Sequence, residues 1–391
     1  MTSQSEPNKR MIEINDSENL KIWLANPGGA VAVQGVELNG MENELAEVNL
    51  AGCLFLGCEM SDALAGFLVS RRAVVIPASS PFVFSPHRAT LYAAGELFAD
   101  FDPNVGEFGN YDQSFDFRVY QEYLMHGQHL AGIDVTLARS LHDHSMTDAR
   151  DEFVSKRKMV AIMGGHDLLR SAPTYRQVAE LARGLAQAGF TLASGGGPGA
   201  MEATHVGAYL AEFDDDSFAE ALSDLAQRRG VVSQEKEYQD KDWLQRAYRV
   251  REKFPLTSSM HKAESLAIPT WFYGHEPPAP FATHTAKYFS NSIREDGLLQ
   301  IANYGVIFAP GNAGTVQEIF QDAAQNYYET FVHASPMVLL GKEYWTKDRP
   351  AWELLQALAN TPGKEPMRDL VHLVDDPNKA AEIIKQFKPG V

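Results

Sequence analysis

Two glycine-rich turns are the stretches of this chain best suited to chemistry. One reads Ser194-Gly195-Gly196-Gly197-Pro198-Gly199-Ala200 and the other Pro310-Gly311-Asn312-Ala313-Gly314-Thr315. Glycines let a ligand approach the backbone closely, and a helix that opens directly after them offers N–H groups to an anion. Thr315 adds a hydroxyl donor for a phosphate oxygen. The pattern predicts phosphate binding. Neither turn ends in Gly-Lys-Ser/Thr, so neither is a Walker loop. Neither fits Gly-x-Gly-x-x-Gly with an acidic residue about 20 positions on, which disfavours a dinucleotide site. Three charged residues stand near the turns. Glu318 follows Thr315 by three residues, and by spacing alone Thr-x-x-Glu reads as a helix capping box. Glu202 falls in the first turn of the helix after the first glycine run, where a carboxylate suits the positive dipole end. Arg294 sits near a helix start, where a cation opposes the dipole, a cost easier to explain if the residue serves a ligand.

The turns need strands to hold them. From Met159 onward, short apolar runs alternate with helical patterns. Met159–Met163, Phe190–Ala193, Ser265–Phe272, Gly305–Ala309, Met337–Leu340 and Leu370–Val374 read as strands. This alternation predicts an α/β fold: a Rossmann-like parallel sheet with helices on both faces. In such a sheet the ligand crevice lies at the carboxyl ends of the strands, where both turns fall. Residues 211–262 break the rhythm and predict an inserted helical arm or lid, or equally a solvated helical hairpin that only packs on the sheet, with a charged stretch opening at Asp214, Asp215 and Asp216. A boundary near Ser155–Lys158 separates residues 155–391 from an N-terminal α/β domain, residues 1–154, of unassigned role. There Ala30–Val33, Cys53–Leu56 and Ala73–Pro77 read as strands, residues 1–20 as loose chain, residues 101–118 as a loop and residues 119–152 as helical. Ala78-Ser79-Ser80-Pro81 is a further candidate ligand loop. Leu45, Leu50, Phe55 and Met60 recur every five residues, a spacing too brief for a solenoid.

Charge and composition narrow the partners. Lys plus Arg is 34 and Asp plus Glu is 51, a net charge of −17, which argues against binding to nucleic-acid backbones or anionic membranes. Cys53 and Cys58 are the two cysteines, so neither a disulfide scaffold nor a four-cysteine metal site is available. His142 and His144, and His126 and His129, lack further ligands at readable spacing, so no metal is expected. Met1–Arg10 has no apolar signal core, and no run is long enough to span a bilayer; a cytoplasmic location is expected.

From about Val160 to Phe387 the chain resembles the LOG ("Lonely Guy") family of nucleoside 5′-monophosphate phosphoribohydrolases, also called lysine decarboxylase-like. The resemblance is carried by Gly164-Gly165, by Gly195-Gly196-Gly197-Pro198-Gly199-Ala200-Met201-Glu202-Ala203 and by Pro310-Gly311-Asn312-Ala313-Gly314-Thr315-Val316-Gln317-Glu318. It implies hydrolysis of the N-glycosidic bond to free base and ribose 5-phosphate, in a homodimer or larger assembly, with a small nucleotide as partner and no metal or redox cofactor. It places Glu318 and Arg294 as catalytic residues. Phosphate would lie on Pro310, Gly311, Asn312, Gly314 and Thr315, with Gly164, Gly165, Gly195, Gly196, Gly197, Gly199 and Glu202 completing the substrate site. Three positions depart from the family pattern: Asn312 replaces Gly, Gln317 replaces the first Glu of a pair, and Glu295 replaces Lys. The lost Lys calls for another cation, with Lys287, Arg251 and His284 as candidates. These departures keep a second reading open, a nucleotide or molybdenum-cofactor carrier on the same fold that does not hydrolyse.

Overall fold

The computed structural model describes residues 11–78, 81–105, 109–128, 131–228, 236–240, 242–330 and 334–389. The chain packs into two compact units, residues 1–90 with 131–148, and residues 91–130 with 149–391. The second unit thus recruits residues 91–130, which a single cut at 154 had assigned to the N-terminal part. Side-chain chemistry explains this. The Asp116 carboxylate accepts from Lys287 Nζ at 2.5 Å, Trp271 Nε1 at 3.0 Å and the Tyr111 hydroxyl at 2.9 Å. Asp116, Lys287 and Trp271 are buried and Tyr111 is half-buried, and a charge without such partners would be expensive to bury.

The first unit holds a parallel sheet of order β1-β2-β3-β4, built from Ile12–Ile14, Val31–Gln34, Leu54–Cys58 and Val74–Pro77. β1 pairs with β2 from Ile12 to Ile14, so the expectation of loose chain through residue 20 is corrected for these residues. Only Ile14 of the strand is buried, and so short an edge carries almost no apolar signal. The five-residue spacing reflects core contact: Leu45, Leu50 and Phe55 are all buried, Leu45 on the helix Glu42–Ala46 and Phe55 on β3. Ser79, Ser80 and His129 lie outside the described residues. Residues 101–118 are not all loop: a 3-10 turn spans Tyr111–Gln113, and Ser114 caps a helix Phe115–Met125 by accepting from Phe117 N.

The second unit is an α/β layer around a sheet of order β11-β10-β9-β5-β6-β7-β8 in which every pairing is parallel. Its strands are β5 Met159–Met163, β6 Thr191–Ser194, β7 Ser265–Ala267, β8 His284–Thr285, β9 Val306–Phe308, β10 Met337–Leu340 and β11 Val371–Val374. β7 stops short of the expected Phe272 because Pro269 has no N–H for the ladder, and a 3-10 turn, Trp271–Tyr273, follows. β8 is too short to be read from the sequence.

The helix Pro173–Gln187 shows how the layer is secured. Proline at its start costs no hydrogen bond, and Tyr175, Val178, Leu181, Ala182 and Leu185 fall on one buried face. Each large side chain buried this way contributes about 1.5–3 kcal/mol. The inserted stretch forms helices Asp215–Ala226 and Trp243–Lys253. Their Ala221, Leu222, Leu225, Ala247 and Val250 join the same core, so these two helices pack against the sheet, as the hairpin alternative expects.

Candidate functional site

Strand order dictates where a site can form. From β5 the chain moves outward through β6, β7 and β8, then returns to β9 on the other side of β5. The crossovers therefore diverge at the carboxyl ends of β5 and β9, the switch point at which a parallel sheet leaves a crevice. Gly164-Gly165 follows β5, Gly195 follows β6, and Pro310 comes two residues after β9. A cavity of about 350 Å³ opens between these turns.

Arg294, on the helix Asn291–Gln300, is buried. Its Nε donates to the Ile268 carbonyl at 2.8 Å and its Nη2 to the Gly195 carbonyl at 3.3 Å. Any side chain at position 195 would run into this guanidinium, which explains that glycine. The remaining nitrogen, Nη1, lies 4.0 Å from Glu318 Oε1, and both residues line the cavity. Burial pushes the Glu318 carboxyl up to about 7; Arg294 opposes the shift and Glu295 reinforces it. The capping-box reading of Glu318 fails because the helix begins at Ala313 with Asn312 as its cap. Glu318 therefore stands in the second turn, beyond reach of the cap backbone.

The first turn of that helix contributes Gly314 and Thr315 to the cavity wall. Asn312 makes no side-chain cap bond, so the leading N–H groups are left for a ligand or water. Asn312 has φ −91° and ψ −150°, a conformation that does not require glycine. Its side chain is held by Asp167 and Arg349, each at 3.3 Å. The other two departures meet each other: Gln317 Nε2 donates to Glu295 Oε2 at 2.9 Å, and Asn291 donates to its Oε1 at 2.7 Å. An acid at 317 would repel Glu295, whereas the neutral amide accommodates it.

Of the residues singled out from sequence, Gly164, Gly165, Gly195, Gly196, Gly197, Asn312, Gly314, Thr315, Arg294 and Glu318 line this one cavity. Gly199, Pro310, Gly311 and Glu202 do not. The first three fasten the turns together. The Gly165 N–H donates to the Pro310 carbonyl at 3.0 Å, and the Tyr344 hydroxyl donates to Gly311 O at 2.7 Å. Gly199 has φ +69°, and a Cβ there would collide with the Gly165 carbonyl. Glu202 faces inward: Arg170 donates to both its oxygens at 2.9 and 2.5 Å, and Tyr175 donates at 2.9 Å. Arg170 also donates to the Trp243 carbonyl and lies over its ring, tying the insertion to the sheet. The proposed compensating cations are elsewhere too. Lys287 is held by Asp116, Arg251 donates to the Pro280 carbonyl at 2.6 Å, and His284 packs on Phe153.

The sequence reading missed a second polar group in the cavity wall: His166, Lys236, Tyr273, His275 and Glu276. His166 Nδ1 lies 3.4 Å from Glu276 Oε1, and its Nε2 lies 2.8 Å from Asp167 Oδ1. Burial pushes the Glu276 carboxyl up, with His166 and His275 opposing. The one available signal was His166-Asp167 directly after a glycine pair at a strand end. Among the described residues no cluster of three or more His, Cys, Asp or Glu could hold a metal ion, and no helix is long and apolar enough to cross a membrane.

No family model matches the chain, and no curated protein does. Solved structures match in part. A molybdenum cofactor binding protein from the phototrophic bacterium Rippkaea orientalis is 14% identical, with TM-score 0.35, over 59% of this chain and 96% of that one. A Moco carrier protein from Chlamydomonas reinhardtii is 16% identical, with TM-score 0.36, over 59% and 97%. The protein TM1055 is 18% identical, with TM-score 0.36, over 59% and 99%.

Proposed function

We propose that the chain hydrolyses the N-glycosidic bond of a nucleoside 5′-monophosphate, releasing the base and ribose 5-phosphate. One observation carries this reading: a half-buried carboxyl raised to about 7, with an arginine 4.0 Å away, in a cavity whose wall includes an open helix N-terminus. N-glycoside cleavage passes through an oxocarbenium-like sugar. The Glu318 carboxylate offsets that positive charge and then takes a proton from the attacking water. The phosphate rests on Gly314 and Thr315, and its binding energy holds the reacting bond in place. Arg294, fixed by two backbone carbonyls, sustains the ionised form of Glu318.

The second reading, a nucleotide or molybdenum-cofactor carrier without hydrolysis, is favoured by the neutral Gln317 held against Glu295. A panel of nucleoside 5′-monophosphates separates the two. Release of base by the wild type and not by Glu318→Ala supports the hydrolase. Tight binding without release by either protein supports the carrier. The family resemblance also implies a homodimer or larger assembly, which sedimentation velocity tests.

A further inference from the structure

Glu318 accounts for only half of the proton traffic. A purine or pyrimidine anion is a poor leaving group, so its departing nitrogen needs a proton, and a carboxylate that stabilises the sugar and receives a proton from water cannot also deliver one to the base. The cavity holds a second carboxyl. Glu276 lies beside the first glycine turn, where a Cβ built on Gly197 would be 3.3 Å from its Oε2. Tyr273, Arg294, Glu318 and Glu276 all line the one cavity, so both carboxyl groups border the same space.

We propose that Glu276 is the general acid that protonates the departing base, and that His166 and Asp167 resupply its proton from solvent. The assignment rests on the hydrolase reading. His166 is the bridge: it contacts Glu276 on one ring nitrogen at 3.4 Å and Asp167 on the other at 2.8 Å. Its side chain is 39% exposed while that of Glu276 is 13% exposed, so the chain of contacts runs from solvent to a sheltered carboxyl. The charged groups around Glu276 are His166, His275, Asp167 and Lys236, and Tyr238 lies near it. Burial is the largest influence and raises its proton affinity, while His166, His275 and Lys236 act against it.

The protons balance. The electron pair of the C1′–N bond goes to the base nitrogen, which takes the proton of Glu276. Water oxygen bonds to C1′, and the proton it sheds goes to Glu318. Glu318 then returns that proton to solvent, while Asp167 and His166 pass one back to Glu276. One water is consumed, and nothing is oxidised or reduced.

The test compares leaving groups. Ordinary nucleoside 5′-monophosphates need the acid; 4-nitrophenyl β-ribofuranoside 5-phosphate does not, because nitrophenolate departs unprotonated. Glu276→Gln keeps the shape and loses the proton. It is expected to lower kcat by about 10²–10⁴-fold on the nucleotides and to leave the nitrophenyl substrate within about 3-fold of wild type. The alkaline limb of the nucleotide pH profile should vanish with it. His166→Gln should lower kcat on the nucleotides with KM unchanged and spare the nitrophenyl substrate. Equal losses on both substrates, or no loss on either, overturn the assignment while leaving the hydrolase reading intact. Wild type that cleaves neither substrate overturns both.

Discussion

Arg294→Met removes the cation that lies 4.0 Å from Glu318 Oε1. At an effective dielectric near 20, two unit charges at that distance attract by about 4 kcal/mol, equivalent to about three pH units of proton affinity. Solvent in the cavity mouth reduces this, so about one to three pH units is the working range. With the guanidinium present Glu318 sits at about 7. Without it, burial and Glu295 act unopposed, and both favour the protonated form. The acid limb of log kcat/KM against pH, measured with a nucleoside 5′-monophosphate, should therefore move upward by about one to three pH units. Near pH 7.5 the variant loses about 3-fold for a shift of one unit and about 200-fold for three from this cause alone, and part of that loss is recovered toward pH 9–10. Any loss that persists there reports contacts of Arg294 with substrate. A midpoint that stays in place or moves down would refute the electrostatic coupling, and with it the view that Arg294 maintains the ionised carboxylate.

Other consequences concern stability and coupling. Asp322 is buried, its Oδ2 has no hydrogen-bond partner among the described residues, and burial raises it from 3.8 to about 8. A raised carboxyl favours the fold below its unfolded value and loses that contribution as pH rises toward 8, so Asp322→Asn should stabilise by a few kcal/mol at pH 9 and little at pH 4, read from urea midpoints. Glu202→Ala strands the buried Arg170 and should cost about 3–5 kcal/mol in urea unfolding, with KM of the folded protein unchanged. Gln317→Glu places an acid against Glu295 and should lower Tm, whereas Gln317→Glu with Glu295→Lys should restore it; a double-mutant cycle showing no coupling contradicts the paired departure.

Much of the second unit was legible because its signals are local. Met337–Leu340 is an unbroken apolar run and a strand of those bounds, and the glycine turns fall at strand ends as the pattern required. Glu202 shows where locality fails. Its place in a first helical turn suits a dipole, but its carboxylate is claimed by Arg170, 32 residues away. Lys287 similarly answers to Asp116 across 171 residues. Glu276 went unseen because its meaning depends on His166 across the sheet, and no spacing encodes that. By spacing alone Glu318 also fits a capping box, but that needs Thr315 as the cap, and the cap is Asn312. β1 and β8 were missed because strands of three and two residues carry no period.

What faces Glu318 is read from a crystal structure of Glu318→Gln with a nucleoside 5′-monophosphate bound. Phosphate oxygens should lie within hydrogen-bond distance of the Gly314 and Thr315 N–H groups, with C1′ against the residue 318 side chain and the base toward Gly197 and Glu276. A nucleotide seated with its phosphate elsewhere, or with C1′ remote from residue 318, would contradict this placement.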